Sequence, residues 1–290
     1  MKYGVFFSYW EKDWQGDYFK YVKKAHDLGL DVLEISAGKL LDMSDDEVAR
    51  LRDLAKSLNI GISCNIGPAK KYDVASADPS VREAGFRFER GIMDKMNVLG
   101  SDRLIGAMYS FWPYDFEDLD KPAVWKRAVE GMKVLGDCAG DHGVTLAMEV
   151  LNRFETLIMN TAEEAVRFVD EVDRPAVRIL LDTFHMNIEE DYIPDAIHTA
   201  GKYLAHFHVG ENNRKLPFDG PGSLDWRAIG KALRDVNYNG YVIAEPFVTT
   251  GGQIAKDIKV WRDLSGNADE AGLDRAAGAY GKFIRSAFEG

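Results

Sequence analysis

Long apolar stretches are missing from the 290 residues: no run approaches the roughly 18 apolar residues that cross a bilayer, so a membrane-spanning reading is excluded at the outset. Cysteine is nearly absent. Cys64 and Cys138 are the only two and share no paired spacing, which excludes a disulfide framework and reads as two apolar thiols in a reducing compartment. Positive charge is short as well. Lys and Arg number 36 against 47 Asp and Glu, a formal net charge of -11, and the cations are scattered. Such a surface repels phosphodiester backbones and anionic membranes, so neither nucleic acid nor a membrane is expected as a partner. No Gly-x-Gly-x-x-Gly follows the first strand-like run and no Walker A sequence occurs, which removes dinucleotide-binding and P-loop folds. No Pro- or Ser-rich linker or low-complexity tract divides the chain, and no basic, apolar leader opens it. The expectation is a soluble cytoplasmic protein with one domain spanning residues 1–290.

What is present is an eightfold alternation. Apolar, β-rich runs recur at Gly4 to Tyr9, Val32 to Ser36, Gly61 to Ile66, Arg103 to Met108, Thr145 to Val150, Val177 to Leu181, Leu204 to Val209 and Tyr241 to Ala244. They are continuous runs, as strands of a parallel sheet covered by helices should be. Between them lie helical periods such as Tyr18, Tyr21, Val22, Ala25 and Leu28, or Ile229, Ala232, Leu233 and Val236. Ser44 with Glu47 and Thr161 with Glu164 have capping-box spacing. Gly29, Asn59, Gly100, Gly143 and Gly240 stand where left-handed residues would close helices. Eight βα units in this length predict an α/β fold, a closed (β/α)8 TIM barrel. The longest loops, Ser110 to Asp120 and Gly210 to Leu224, follow strands and so fall on the face where barrels keep their active sites.

Polar residues collect at that rim. Glu149, Asp182, His208 and Glu245 lie at the ends of four successive strands, so three carboxylates and one imidazole converge on the barrel axis and could surround one divalent cation. The donor set is mostly hard oxygen and suits Mn2+, Mg2+ or Co2+, with Zn2+ an alternative. His206, two residues before His208, shares its side-chain direction in a strand and is the rival ligand. Glu155, His185 and Arg214 follow on the loops above. With the aromatics Phe6, Trp14 and Trp112 they describe a small polar cup with apolar walls, suited to a small polar molecule. His26, His142 and His198 fall on helices or turns and are expected to be solvated.

Several blocks are specific. Glu149-Val-Leu-Asn-Arg-Phe-Glu155, Leu181-Asp-Thr-Phe-His-Met-Asn-Ile-Glu-Glu190, His206-Phe-His-Val-Gly-Glu-Asn-Asn-Arg214, Glu245-Pro-Phe247 and Lys259-Val-Trp-Arg-Asp-Leu264 closely resemble the ketose 3-epimerase family. Ser8-Tyr-Trp-Glu11 and Ser110-Phe-Trp-Pro113 extend the likeness over the whole length. The resemblance implies metal binding by Glu149, Asp182, His208 and Glu245, with His208 favoured over His206. It implies acid-base roles for Glu149 and Glu245, and contacts from Glu155, His185 and Arg214 to substrate oxygens near the reacting carbons. It implies Mn2+ or Co2+, and Mg2+ less well, a ketose such as D-fructose, D-psicose, D-tagatose or D-sorbose as substrate, and a homodimer or homotetramer. Three places depart from the family pattern: Asn65 and Ile105 stand where smaller residues are usual, and the loop Phe218 to Asp225 is unlike the expected stretch. Substrate preference is what these departures touch.

Removing a proton α to a carbonyl needs the oxygens polarised first, and inversion at C3 needs a base and an acid. The nearest alternative is an aldose-ketose isomerase or a sugar-phosphate 3-epimerase on the same scaffold. A phosphate site should pair a glycine-rich loop at a helix start with basic support. The only candidate, Gly220 to Ser223, is flanked by Asp219 and Asp225. A multi-metal nuclease would need a basic groove, and a two-carboxylate glycosidase would need no metal.

Overall fold

The structure is a computed structural model that describes residues 1–218, 220 and 222–290. Asp219 and Pro221, part of the divergent loop Phe218 to Asp225, lie outside the described residues. Eight strands, β1 (Lys2–Phe6), β2 (Val32–Ser36), β3 (Gly61–Ile66), β4 (Arg103–Gly106), β5 (Thr145–Glu149), β6 (Val177–Asp182), β7 (Leu204–Val209) and β8 (Tyr241–Ala244), each pair in parallel with the next. β8 closes the ring on β1, with Lys2 opposite Tyr241. The expected (β/α)8 barrel is the observed one.

The covering helices are α1 (Tyr18–Asp27), α2 (Asp45–Ser57), α3 (Pro79–Leu99), α4 (Lys121–His142), α5 (Ala162–Val172), α6 (Thr183–Glu189), α7 (Ile193–Ala200), α8 (Trp226–Asp235), α9 (Gly252–Ile258) and α10 (Glu270–Glu289). Among the described residues no helix is long and apolar enough to cross a membrane. Side-chain oxygens supply many of the starts, since the first backbone N–H groups of a helix have no internal acceptor. The box at α2 is complete: Ser44 Oγ accepts from Glu47 N at 3.3 Å and Glu47 Oε2 accepts from Ser44 N at 2.9 Å. At α5 it is half formed. Thr161 Oγ1 accepts from Glu164 N, but the Glu164 carboxylate turns to Asn160 N at 2.8 Å and to Lys121 Nζ, which offers a full charge.

Gly29, Asn59, Gly100 and Gly143 take the left-handed conformation expected of them, whereas after α8 it is Asn237, with φ 57°, and not Gly240. Three strands also end early, β5 by one residue at Glu149 and two others by more. β1 stops at Phe6, and Phe7–Trp10 coils into a 3-10 turn that buries Phe7, Ser8 and Tyr9 together, where an extended chain would send Ser8 to the face opposite the two rings. β4 stops at Gly106, where φ is 113° and a Cβ would lie 2.3 Å from Ile66 O, so only glycine fits and the chain leaves the sheet there. Asp182, expected just past its strand, is the last residue of β6. His142 is half-buried and not solvated, because its Nδ1 lies 2.7 Å from Cys138 O and its Nε2 3.0 Å from Asp94.

Strand alternation stacks the inner face in layers. Ala147, Leu180 and His206 precede Glu149, Asp182 and His208 by two residues and point the same way. Ile105 packs with Ala147 and Leu180 in an apolar plug separate from the main core. Ile105, one of the departures, thus acts as floor, with the small Ala147 opposite it across the β4/β5 pairing.

Candidate metal centre and active site

The four rim residues meet. Glu149, Asp182, His208 and Glu245 each present a donor atom within 4.8 Å of the others, and all four are buried. His208 Nδ1 lies 3.7 Å from Glu149 Oε1, 4.0 Å from Asp182 Oδ2 and 3.9 Å from Glu245 Oε2. Glu149 Oε1 and His208 Nδ1 are buried without a hydrogen-bond partner. Three carboxylates closing on one imidazole, with orphaned donor atoms facing one another, fit a divalent cation: it would satisfy those atoms and cancel the mutual repulsion.

The electrostatics reflect that crowding. Burial pushes Glu245 well above the ordinary carboxyl range, and the neighbouring charge of Glu149 pushes it further. Burial acts on Glu149 too, but the His185 and His208 imidazoles outweigh it and hold its carboxyl below the usual range. For His208 the burial penalty is overcome by the Glu34 carboxylate, and its pKa is raised well above 6.5.

Glu34 was not anticipated as part of the site. Fully buried in the middle of β2, it accepts from Ser63 Oγ at 2.9 Å and Asn65 Nδ2 at 3.1 Å. Its two oxygens also lie 3.1 Å from His206 Nε2 and from His208 Nε2. Burial alone would raise this carboxyl, yet the two imidazoles beside it, His208 foremost, bring it down to about 2. His206 therefore belongs to Glu34, and His208 alone turns its other nitrogen to the carboxylate cluster. A charged residue in the otherwise apolar Val32-Leu-Glu-Ile run was the available signal. Asn65, noted only as a departure, also donates from Nδ2 to Glu245 Oε1 at 3.2 Å and ties the rim to the Glu34 hub.

Above the cluster lies a cavity of about 360 Å³ lined by Glu149, Glu155, His185, Arg214 and Glu245 at its polar end and by Phe6, Trp14, Trp112 and Phe247 along its walls. All of the expected cup residues are present in it. Arg214, held in the left-handed region at φ 67°, stacks its buried guanidinium 3.9 Å over Phe184 and bonds Glu245 Oε2 at 3.2 Å and Glu155 Oε1 at 3.0 Å. That backbone conformation is costly for a residue with a Cβ and persists because the two ion pairs and the ring fix the side chain. Burial raises Glu155, but His185, Arg214 and the Trp112 indole bring it below the usual range; the indole donates at 3.0 Å. Trp14 donates to Asp257 at 2.8 Å and meets Trp112 and Phe247 edge-on at 5.9 and 6.1 Å. Asn152, also unanticipated, lies behind His185 and contacts its Nδ1.

The Xylose isomerase-like TIM barrel family matches residues 22–264. The D-psicose 3-epimerase of Agrobacterium fabrum is 46% identical over 288 residues, covering 98% of this chain and 99% of its own. That of Ruminiclostridium cellulolyticum is 44% identical over 290 residues, covering 100% and 98%. Among solved structures, a D-psicose 3-epimerase crystallised in the presence of D-fructose superposes with a TM-score of 0.97 at 46% identity over 100% of both chains. The D-psicose 3-epimerase of Clostridium cellulolyticum H10 with D-tagatose also gives 0.97, at 44% identity over 99% of each. Relatives this close over the whole length carry the assignment further than the barrel alone could: the chain belongs to the ketose 3-epimerases of the Xylose isomerase-like TIM barrel family, and is a carbohydrate epimerase of the isomerase class.

Proposed function

We propose that the chain, with residues 1–290 as one catalytic domain, interconverts free 2-ketohexoses by inversion at C3: D-fructose with D-psicose and D-tagatose with D-sorbose. The observation that carries the reading is the meeting of two glutamates, one at the end of β5 and one just past β8, at the polar end of one cavity with Glu155, His185 and Arg214. Glu149, Asp182, His208 and Glu245 would hold one divalent cation, Mn2+ or Co2+ in preference to Mg2+, which when bound supplies Lewis acidity to the ketose carbonyl.

The remaining work falls to side chains. Glu149 or Glu245 takes the C3 proton, and the other returns one to the opposite face, the direction of reaction deciding which. His185 and Arg214 steady the negative charge that gathers on O2 as the cis-enediolate forms. Glu155 accepts and returns the hydroxyl proton at O1 or O3. Trp112 fixes Glu155, while Phe6, Trp14 and Phe247 keep water from the planar intermediate. Free sugars suit the site better than sugar phosphates, because Arg214 is the only Lys or Arg among the described residues lining the cavity and two carboxylates already engage it. A homodimer or homotetramer and a cytoplasmic location complete the reading, the second supported by the unpaired Cys64 and Cys138.

Incubation of the metal-loaded protein with D-fructose in D2O tests it. Deuterium at C3 with D-psicose appearing is expected; deuterium at C1 with an aldose appearing would overturn the proposal.

A further inference from the structure

Two backbone N–H groups settle the hydrogen-bond logic behind His185. Phe154 N donates to Asn152 Oδ1 at 2.9 Å, so the oxygen of that side-chain amide faces Phe154 and its nitrogen faces the other way. There Nδ2 lies 2.7 Å from His185 Nδ1 and donates to Glu155 Oε1 at 3.1 Å. Asn152 N–H also points at His185 Nδ1, at 3.1 Å. A backbone N–H can only donate, and so, in this orientation, can the amide nitrogen. His185 Nδ1 therefore receives two donors and must present its lone pair to both. The ring proton is left on Nε2, on the cavity side, 3.5 Å from Glu149 Oε1.

We infer that Asn152 is a positioning residue that locks His185 in the Nε2–H tautomer and so makes it a hydrogen-bond donor toward the substrate carbonyl. The imidazole meets O2 with an N–H and offers no lone pair to the cavity. A fixed donor of this kind strengthens its hydrogen bond as charge grows on the oxygen, which is what lowers a barrier to enolisation. The same amide, through Nδ2, holds Glu155 in register with His185, so one side chain sets two cavity groups. His185 is buried, and among the described residues the next ionisable oxygen near Nδ1 is Glu155 Oε1 at 3.9 Å, beyond hydrogen-bond reach. The consequence for catalysis rests on the epimerase reading; the tautomer does not.

The test uses protein labelled with 15N-histidine, metal-free and again loaded with diamagnetic Mg2+. Two-bond 1H–15N correlation spectra assign His185 by its loss in His185→Gln. Wild type is expected to show a pyridine-like Nδ1 and a pyrrole-like Nε2. Asn152→Asp is close to isosteric and can still accept from Phe154 N, but it sets a carboxylate against the Nδ1 lone pair beside the retained backbone donor, so the purely pyridine-like Nδ1 signal of wild type should be lost. Asn152→Ala keeps the backbone donor and should leave the spectrum unchanged. In turnover of D-fructose, kcat should fall by about 10- to 100-fold in Asn152→Asp, the range for residues that orient a working group from behind, and less in Asn152→Ala, with KM moving little in either. A residue that merely fills space would show the reverse order, since Asp preserves the shape. A protonated Nδ1 in wild type, or an Asn152→Asp protein with the wild-type spectrum or with more activity than Asn152→Ala, overturns the inference. The wild-type spectrum decides even if Asn152→Asp fails to fold. It also reads independently of turnover, so absence of epimerase activity would refute the function and not the tautomer.

Discussion

Replacing Glu34 with Gln should cost this protein more than replacing any exposed carboxylate, although Glu34 touches neither the cavity nor the bulk solvent. In the folded, metal-free chain its carboxyl is held at about 2 against an ordinary 4.5. At about 1.36 kcal/mol per pH unit that gap is worth about 3 kcal/mol of stability at neutral pH. The folded value is the depressed one. The contribution is therefore fully present above about pH 4.5 and disappears as the pH falls toward about 2. Removing one partner of a buried ion pair independently costs about 3–5 kcal/mol, so the two routes agree in size. Glu34→Gln also turns an acceptor into a part-donor facing His206 Nε2 and His208 Nε2, each 3.1 Å away. The orientation that presents His208 Nδ1 to the carboxylate cluster is then lost, and cation affinity should drop about 10- to 100-fold, or about 1.4–2.7 kcal/mol. Urea unfolding in EDTA at pH 7 and at pH 3.5 measures the first effect, and calorimetric titration with Mn2+ measures the second. A stability loss below about 1 kcal/mol at pH 7, a loss that fails to shrink at pH 3.5, or an Mn2+ affinity within twofold of wild type would refute the reasoning.

Three further outcomes follow from the same physics. Glu89, fully buried in α3 with neither oxygen hydrogen-bonded, is pushed well above the carboxyl range by burial, so the folded state keeps its proton while the unfolded chain loses one above about pH 4.5. Glu89→Met should accordingly stabilise the protein by about 1–3 kcal/mol at pH 7, with the gain fading below pH 4.5; urea titrations that show destabilisation, or no pH dependence, contradict this. Chelation should abolish turnover of D-fructose, and adding Mn2+ back at about 100 times its dissociation constant should restore it and stabilise the fold by about 2.7 kcal/mol; full activity in EDTA would exclude the proposed metal role. Glu245→Gln should slow deuterium exchange at C3 by about 10²- to 10⁴-fold with the far-UV circular dichroism unchanged, and a fully active variant would remove Glu245 from the acid-base pair.

The barrel was readable because its signals are local. Continuous apolar runs such as Val177 to Leu181, cap residues such as Ser44 and exit residues such as Gly100 act over a few positions, and a single chain displays them. The rim residues were readable for a related reason: strand ends in a closed barrel converge wherever they occur in sequence, so three carboxylates and an imidazole at the ends of four successive apolar runs must be neighbours. Boundaries failed where tertiary packing overrode the pattern. Phe7 to Tyr9 continue the apolar run of a strand, yet the chain coils there and buries all three residues. Thr161 and Glu164 look like a capping box, yet the carboxylate prefers the Lys121 ammonium.

Glu34 and Asn152 were hidden for a different reason, which bears on how such sites are built. Each works only through a partner that sequence distance conceals: Glu34 on β2 meets His206 and His208 on β7, and Asn152 after β5 meets His185 on α6. Neither touches the cavity's contents, so the chemistry of a ketose predicts neither. What predicts them is hydrogen-bond accounting. A buried imidazole that must direct one nitrogen at a cation or a carbonyl needs its other nitrogen occupied, and the occupant must be an acceptor where the working nitrogen is a lone pair and a donor where it is an N–H. His208, with Nδ1 toward three carboxylates, is backed by the Glu34 acceptor; His185, with Nε2 toward the cavity, is backed by the Asn152 donors. The two histidines thus carry opposite backing because they have opposite tasks. Exchanging the backing, through Glu34→Gln at one and Asn152→Asp at the other, should disable the cation site and the carbonyl donor separately: the first variant loses Mn2+ affinity and the second keeps it.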